Sequence, residues 1–175
     1  LPSGGSGAYV YLWEYSTESA TSGFKPALGM NNGEQYQASV LTQTTWFRRT
    51  VLSAPCPALL SNVIRVTVNP VITENTISGN QVICSGDVPA LFAGSVPKGG
   101  DGVYAYLWEY SQDGVVYEAA PGKNNVQTYQ ATSLTQDTWF RRVVMSGNCT
   151  SVTSAVKITV NQPISDNLIS EDQAV

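Results

Sequence analysis

The chain has 175 residues, 42% of them hydrophobic and only 13% charged, with a net charge of −4 and no histidine. The missing histidine removes the commonest general base, metal ligand and pH switch. An acidic balance without a basic cluster argues against nucleic acid or an anionic membrane as partner, and no apolar run reaches the length of a membrane span.

Taken in order, the chain writes one pattern twice. Residues 7–16, GAYVYLWEYS, return as GVYAYLWEYS at 102–111, identical at eight of ten positions. Residues 36–51 and 129–144 agree at twelve of sixteen, and RVTVNPVITENTISGNQ (65–81) pairs more weakly with KITVNQPISDNLISEDQ (157–173). The offset shrinks from 95 to 93 to 92, with the changes falling in loops after the aromatic segment and just past Cys56 and Cys149. A period of this size is too long for a solenoid unit and suits an autonomous sandwich domain.

The second copy opens with an edge segment at 81–84 and a strand at 90–93, then a glycine-rich loop at 97–102. In the aromatic strand 103–111, Tyr104, Tyr106, Trp108 and Tyr110 lie two apart and share one face. Gln112-Asp113-Gly114 signals a turn, 116–119 a short strand and 121–125 a loop. Strands are expected at 128–131, 139–145 and 154–160, with a tight turn at 146–148. No helical period is visible. The expected fold is all-β: tandem immunoglobulin-like Greek-key β-sandwiches. The first, residues 1–69, lacks its opening strands; the second, 70–160, is complete; 161–175 is a linker or the start of another repeat. Asn69–Gln81 is expected to connect the two, its middle either free or added as an edge strand.

Three cysteines are present. Cys84 opens the second unit and Cys149 follows its last hairpin turn, so a Cys84–Cys149 disulfide is expected, with the partner of Cys56 upstream of residue 1. Such a bond implies an oxidising, extracytoplasmic location.

The ordered set of motifs resembles a family. It comprises Ile83-Cys-Ser-Gly-Asp-x-Pro89, Gly99-Gly100, Tyr104-x-Tyr106-x-Trp108-Glu-x-Ser111-x-Asp113-Gly114, Leu134-Thr-x-x-Thr138-x-Phe140-Arg-Arg142, Ser146-Gly-x-Cys149 and Ile158-Thr-Val160. Together these look like the tandem immunoglobulin-like or PKD-like repeats of large surface adhesins in gliding Bacteroidetes-type bacteria. The resemblance implies export by type IX secretion, a cell-surface location and a part in adhesion or gliding motility. It carries no catalytic residue, metal or cofactor. Implied partners are flanking repeats of the same polypeptide, and surface polysaccharide or the secretion and motility machinery.

Candidate residues divide by face. Trp13 and Trp108 are expected at the sandwich centres, and Phe47 and Phe140 at the corner leading into the sixth strand. Glu14 and Glu109 point the other way and are expected to pair across strands with an arginine, Arg48 or Arg49 and Arg141 or Arg142; the other arginine must turn toward the core. Trp46 and Trp139 face outward if Phe47 and Phe140 face in, which would suit stacking on a sugar or a neighbouring domain; pattern alone leaves the reverse open. Asp101 and Asp113 flank the aromatic strand as candidate calcium ligands or as turn formers. A glycosidase pair from Glu109 and Asp113 would be separated by roughly 13 Å of extended strand, beyond either glycosidase geometry. Two non-enzymatic alternatives to a spacer role remain: a saccharide- or protein-binding module, and a filament subunit whose 163–175 tail completes the strand-poor first unit of the next copy.

Overall fold

The structure is a computed structural model and describes residues 2–169. Its described residues contain strands and no helix, arranged as two sheets. The chain divides into two compact units, Leu1–Asn69 and Pro70–Val175.

Unit 1 holds β1 (Val10–Ser16), β2 (Lys25–Pro26), β3 (Thr45–Leu52), β4 (Leu59–Leu60) and β5 (Ile64–Val66) in the order β2-β1-β3-β4, with β5 also on β3. Unit 2 holds β6 (Gln81–Cys84), β7 (Ala105–Ser111), β8 (Glu118–Ala119), β9 (Thr138–Ser146), β10 (Cys149–Val152) and β11 (Val156–Asn161). Their order is β6-β11-β9-β7-β8, with β10 on β9. Each sheet is built on one antiparallel pair in the same register. Trp13 faces Arg49 and Glu14 faces Arg48 across β1 and β3; Trp108 faces Arg142 and Glu109 faces Arg141 across β7 and β9.

Why these segments become strands is local. β7 and β9 are rich in aromatic and β-branched residues, which suit a pleated surface, and β9 alternates buried with half-buried positions along most of its length. Thr138, Phe140, Arg142 and Val144 point inward, while Trp139 and Arg141 point out. β7 ends where Ser111 turns the chain. Its hydroxyl donates to Asp113 Oδ1 (2.7 Å) and accepts from the Gly114 N–H (3.0 Å), and Gly114 takes a φ of 73° that a side chain would disfavour. Asp113 Oδ1 then accepts from the N–H groups of Val115 and Val116. Those donors are thereby lost to a ladder, so the expected 116–119 strand shrinks to the two residues of β8.

The core of unit 2 lies between the inner face of its sheet and a covering layer. Phe92 is fully buried against Trp108, Tyr129 and Phe140, with ring centroids 5.9, 6.2 and 4.8 Å away. The expected strands at 90–93 and 128–131 are reduced to one bridge, Phe92 with Tyr129, closed by both backbone hydrogen bonds. Of the two readings left open for the middle of the connecting segment, the paired one is found, as isolated bridges: Thr73 bridges Lys98, and Ile77 bridges Gly94. A further strand, β10, lies outside the expected set; it completes the hairpin around the 146–148 turn.

The Cys84–Cys149 disulfide is a correction: no such bond exists. Cys84 pairs with Asn161 beside the Thr138 end of β9, whereas Cys149 pairs with Ser146 at its other end. A nine-residue strand separates them by roughly 30 Å, far beyond disulfide reach. The expectation placed both cysteines at one end; they belong to opposite ends. Cys56 and Cys84 carry exposed thiols. Of the segment expected to start another repeat, residues 170–175 lie outside the described residues, as does residue 1.

Candidate functional site

The distinctive side chain of unit 2 is an arginine inside the core. Arg142 has no exposed surface. β9 turns it inward because Arg141, next along the strand, is claimed by the outer face. There Arg141 Nε lies 2.6 Å from Glu109 Oε2 and its guanidinium sits 3.8 Å over the Tyr117 ring. A buried charge without partners would cost several kcal/mol, and Arg142 is given neutral oxygens and ring faces. Nε and Nη2 donate to Asn75 Oδ1 (3.1 and 2.9 Å), Nη2 to the Ser95 carbonyl (2.9 Å) and Nη1 to the Gln127 carbonyl (3.1 Å). Tyr106 and Trp108 present their rings at 5.3 and 6.0 Å. Burial pushes the guanidinium below the ordinary arginine value, and Tyr106 works the other way; arginine remains charged throughout.

Asn75 is the hinge of this clasp. Its Oδ1 holds the guanidinium while its Nδ2 donates to the carbonyl and hydroxyl of Ser151 on β10, at 3.0 and 3.2 Å. The residue before it, Glu74, sits at a φ of 56°, uncommon for a side chain, and turns the chain so that Asn75 dips toward the arginine. Val71 passes over Gly99, where an added Cβ would collide with the Val71 carbonyl, and Pro70 accepts from the Gly100 N–H. Gly94 packs so closely that a Cβ there would strike the Arg142 guanidinium.

Unit 1 carries the same arginine with half its clasp. Arg49 lies over Tyr11 and Trp13 at 5.0 and 5.6 Å, and its Nη1 donates to the Glu34 carbonyl at 2.6 Å. Its backbone N–H donates to the Ser61 hydroxyl, as that of Arg142 does to Thr153. Arg49 Nε is buried and makes no hydrogen bond. Above it lies a groove of about 470 Å³ lined by Gly4, Tyr9, Arg49, Val51, Cys56 and Leu59, among others. The equivalent positions in unit 2 include Gly99, Tyr104, Arg142, Val144, Cys149 and Ser151, and segment 70–75 lies against four of these: Gly99, Arg142, Cys149 and Ser151. Leu59 and Leu60, on the rim, are exposed.

The other sequence candidates sit elsewhere. Trp13 and Trp108 occupy the inner faces, each donating its indole N–H at 3.0 Å, to Gly33 and Val126 respectively. Phe47 and Phe140 are buried, which settles the register left open: Trp46 and Trp139 face outward. Trp139 is half-covered, with Lys157 Nζ 5.0 Å over its ring and Gly114 against its edge; Arg65 lies over Trp46 at 5.6 Å. Glu14 takes Arg48 at 2.9 Å, the outward partner of its pair as Arg141 is of Glu109. Asp101 and Asp113 act as turn acceptors. The Val103 N–H and the Ser146 hydroxyl hold Asp101 below the ordinary carboxyl value, and Val115, Ser111 and Val116 do the same for Asp113. Among the described residues no cluster of three or more metal-binding side chains occurs. Sequence reasoning misses the clasp, although one signal for it exists: Asn75 and its acidic neighbour recur as Asp166-Asn167.

A family profile matches residues 1–70 and 73–162, one stretch taking in all of unit 1 and the other most of unit 2. The chain belongs to the family described as Domain of unknown function (DUF8696). No curated protein matches it. The boundary between the two matched stretches falls beside the Asn69–Pro70 division of the units, and the second stretch takes in the Asn75 clasp.

Proposed function

We propose that the chain is a non-catalytic extracellular segment of a large bacterial surface adhesin, formed of tandem immunoglobulin-like β-sandwiches, the first without its opening strands. In this reading the units are spacers that carry an adhesive region away from the cell during adhesion or gliding. One observation carries it: the same strand pair is built twice in the same register, with an inner Trp–Arg pair and an outer Glu–Arg pair at equivalent positions. A chain that repeats its packing while varying its loops is organised for length. The polar residues singled out as candidate ligands are spent on structure, Glu109 on Arg141 and Asp113 on its own turn, which also favours a spacer over a binding module.

The test is a saccharide array and a surface-polysaccharide pull-down with the whole chain, beside a Trp139→Ala variant shown to be folded. A spacer gives no selective binding in either. Selective saccharide binding by the wild-type chain, lost in Trp139→Ala, would replace this reading with the binding module.

A further inference from the structure

We infer that Asn32-Gly33, in the loop that holds Trp13, is a self-modification site: the Gly33 nitrogen closes on the Asn32 carboxamide, ammonia leaves, and water opens the ring to an acidic, partly β-linked residue. Unit 2, built on the same loop, lacks the site. The inference rests on the chemistry of this loop and not on any role in adhesion.

The two loops clamp their tryptophans alike. In unit 1 the Asn31 carbonyl accepts from the Trp13 main-chain N–H at 2.7 Å, and the Gly33 carbonyl from its indole N–H at 3.0 Å. In unit 2 the Asn124 and Val126 carbonyls hold Trp108 in the same way, at 2.7 and 3.0 Å. Asn31 Nδ2 donates to the Ala27 carbonyl as Asn124 Nδ2 does to that of Ala120. Between the two clamping carbonyls stands one exposed asparagine in each unit, Asn32 and Asn125. Asn125 is exposed although Phe92 and the covering layer are present in unit 2, so the exposure belongs to the loop itself.

What differs is the next residue, glycine in unit 1 and valine in unit 2. A β-branched side chain crowds the nitrogen it flanks, whereas glycine leaves it open and lets the backbone turn toward the side chain before it. Among the described residues no hydrogen bond engages the Asn32 carboxamide or the Gly33 N–H. The comparable Asp-Gly links are guarded. At Asp113-Gly114 the Gly114 N–H donates to the Ser111 hydroxyl, and the carboxylate accepts from Ser111, Val115 and Val116. At Asp101-Gly102 the carboxylate accepts from the Val103 N–H and the Ser146 hydroxyl. An ionised carboxylate offers a nucleophile a far poorer carbon than a carboxamide does.

The Gly33 amide gives its proton to solvent base, its nitrogen bonds to Asn32 Cγ, and the Cγ–Nδ2 bond breaks, the departing nitrogen taking up a proton to leave as ammonia. Water then opens the succinimide. Opening at Cγ yields an aspartyl residue. Opening at the main-chain carbonyl leaves the chain running through Cβ and Cγ, one carbon longer. Either product adds one carboxylate to a chain of net charge −4. The extra carbon falls between the two carbonyls that clamp Trp13, so the β-linked product pulls them out of register and loosens the tryptophan of unit 1.

The test is incubation of the whole chain in mildly alkaline buffer, followed by peptide mapping with fragmentation that separates aspartyl from β-linked products. The expected result is an acidic species converted at residue 32, with Asn31, Asn124 and Asn125 intact when half of the residue 32 sites have reacted. Asn32→Gln and Gly33→Val lose that species over the same time. An added Cβ at Gly33 comes within 3.1 Å of the Gln35 carbonyl oxygen, so the reciprocal variant is made as well: Val126→Gly renders Asn125 reactive and leaves unit 1 untouched. In β-linked chains the β1 amides exchange faster while those of β7 do not change. A folded chain that keeps its carboxamide at residue 32 after a denatured sample has converted would overturn the inference. So would equal conversion at Asn125 in the wild-type chain, or an inert Asn125 in Val126→Gly. Unchanged exchange of β1 in β-linked chains would overturn the loosening of Trp13.

Discussion

Removing the guanidinium at two equivalent positions should have very different costs. In Arg142→Ala, the Asn75 side-chain oxygen and the Ser95 and Gln127 carbonyls lose their donor in a buried setting. Leaving such groups unmet costs about 1–3 kcal/mol each, and the vacated volume adds a cavity term because the surrounding rings relax only in part. Water entering the cavity would meet part of the loss, so a destabilisation of about 4 kcal/mol is expected. In Arg49→Ala of this 175-residue chain, one side-chain hydrogen bond to Glu34 is lost beside a groove, and water replaces it for about 1 kcal/mol. For a unit of roughly 100 residues each kcal/mol moves the melting temperature by about 4–8 °C. The shift should therefore be about 15–30 °C in unit 2 and about 5 °C in unit 1. Hydrogen exchange resolved by peptide reads the two separately, through the amides of β7 and β9 against those of β1 and β3. Equal losses at the two positions, or a loss under 1 kcal/mol at Arg142, would refute the view that Asn75 and its segment close the core.

Further outcomes are open to direct measurement. Phe92→Ala should destabilise unit 2 by about 3–5 kcal/mol, the usual cost of emptying a phenylalanine site, read by urea unfolding; a cost below 1 kcal/mol would mean the covering layer is not packed. Gly99→Ala and Gly4→Ala impose similar backbone strain, at φ values of 89° and 87°, but only the first meets Val71. It should cost clearly more in thermal unfolding, and parity would contradict the open groove. Asp101, Asp113 and Asp137 are held below the ordinary carboxyl value, Asp137 chiefly by Lys157. Because their folded values lie under the unfolded value of about 3.9, their contribution is complete above it and is lost as pH falls through the folded values. Asp113→Asn should flatten the acid limb of the stability curve of unit 2, and an unchanged limb would count against the turn cap.

What can be read from the sequence follows from how far apart the interacting residues are. The alternation in β7 and β9 is a two-residue signal, and residue order alone puts Trp108 inside and Glu109 outside. The adjacent arginines announce that one must turn inward, since neighbours on a strand point to opposite faces. The partner of that arginine is out of reach of such reasoning: Asn75 lies 67 residues away, in a stretch whose Pro70 and Gly79 read as a connector. The disulfide fails for a related reason. Which end of a sheet a residue occupies depends on the direction of every strand between, and the expected set of strands lacks β10. Capping chemistry explains the shortened β8, where one aspartate oxygen takes two donors that alternation assigns to a strand.

The parallel pairing of β6 with β11, Gln81 to Ile158 through Cys84 to Asn161, bears on how unit 2 carries a load. β6 is entered from the N-terminal side and β11 leaves toward the C-terminal side, so tension along the chain pulls the two neighbours past each other. In that geometry the rungs share the force and must yield together, whereas an antiparallel pair pulled from one end opens rung by rung. Ahead of β6 such a pull meets in turn the Pro70–Gly100 hydrogen bond, the Thr73–Lys98 bridge and Asn75 on Arg142. Residues 70–80 thus lie in series ahead of the β6–β11 ladder, so a pull on the N-terminal side of unit 2 acts on their contacts as well as on the sheet.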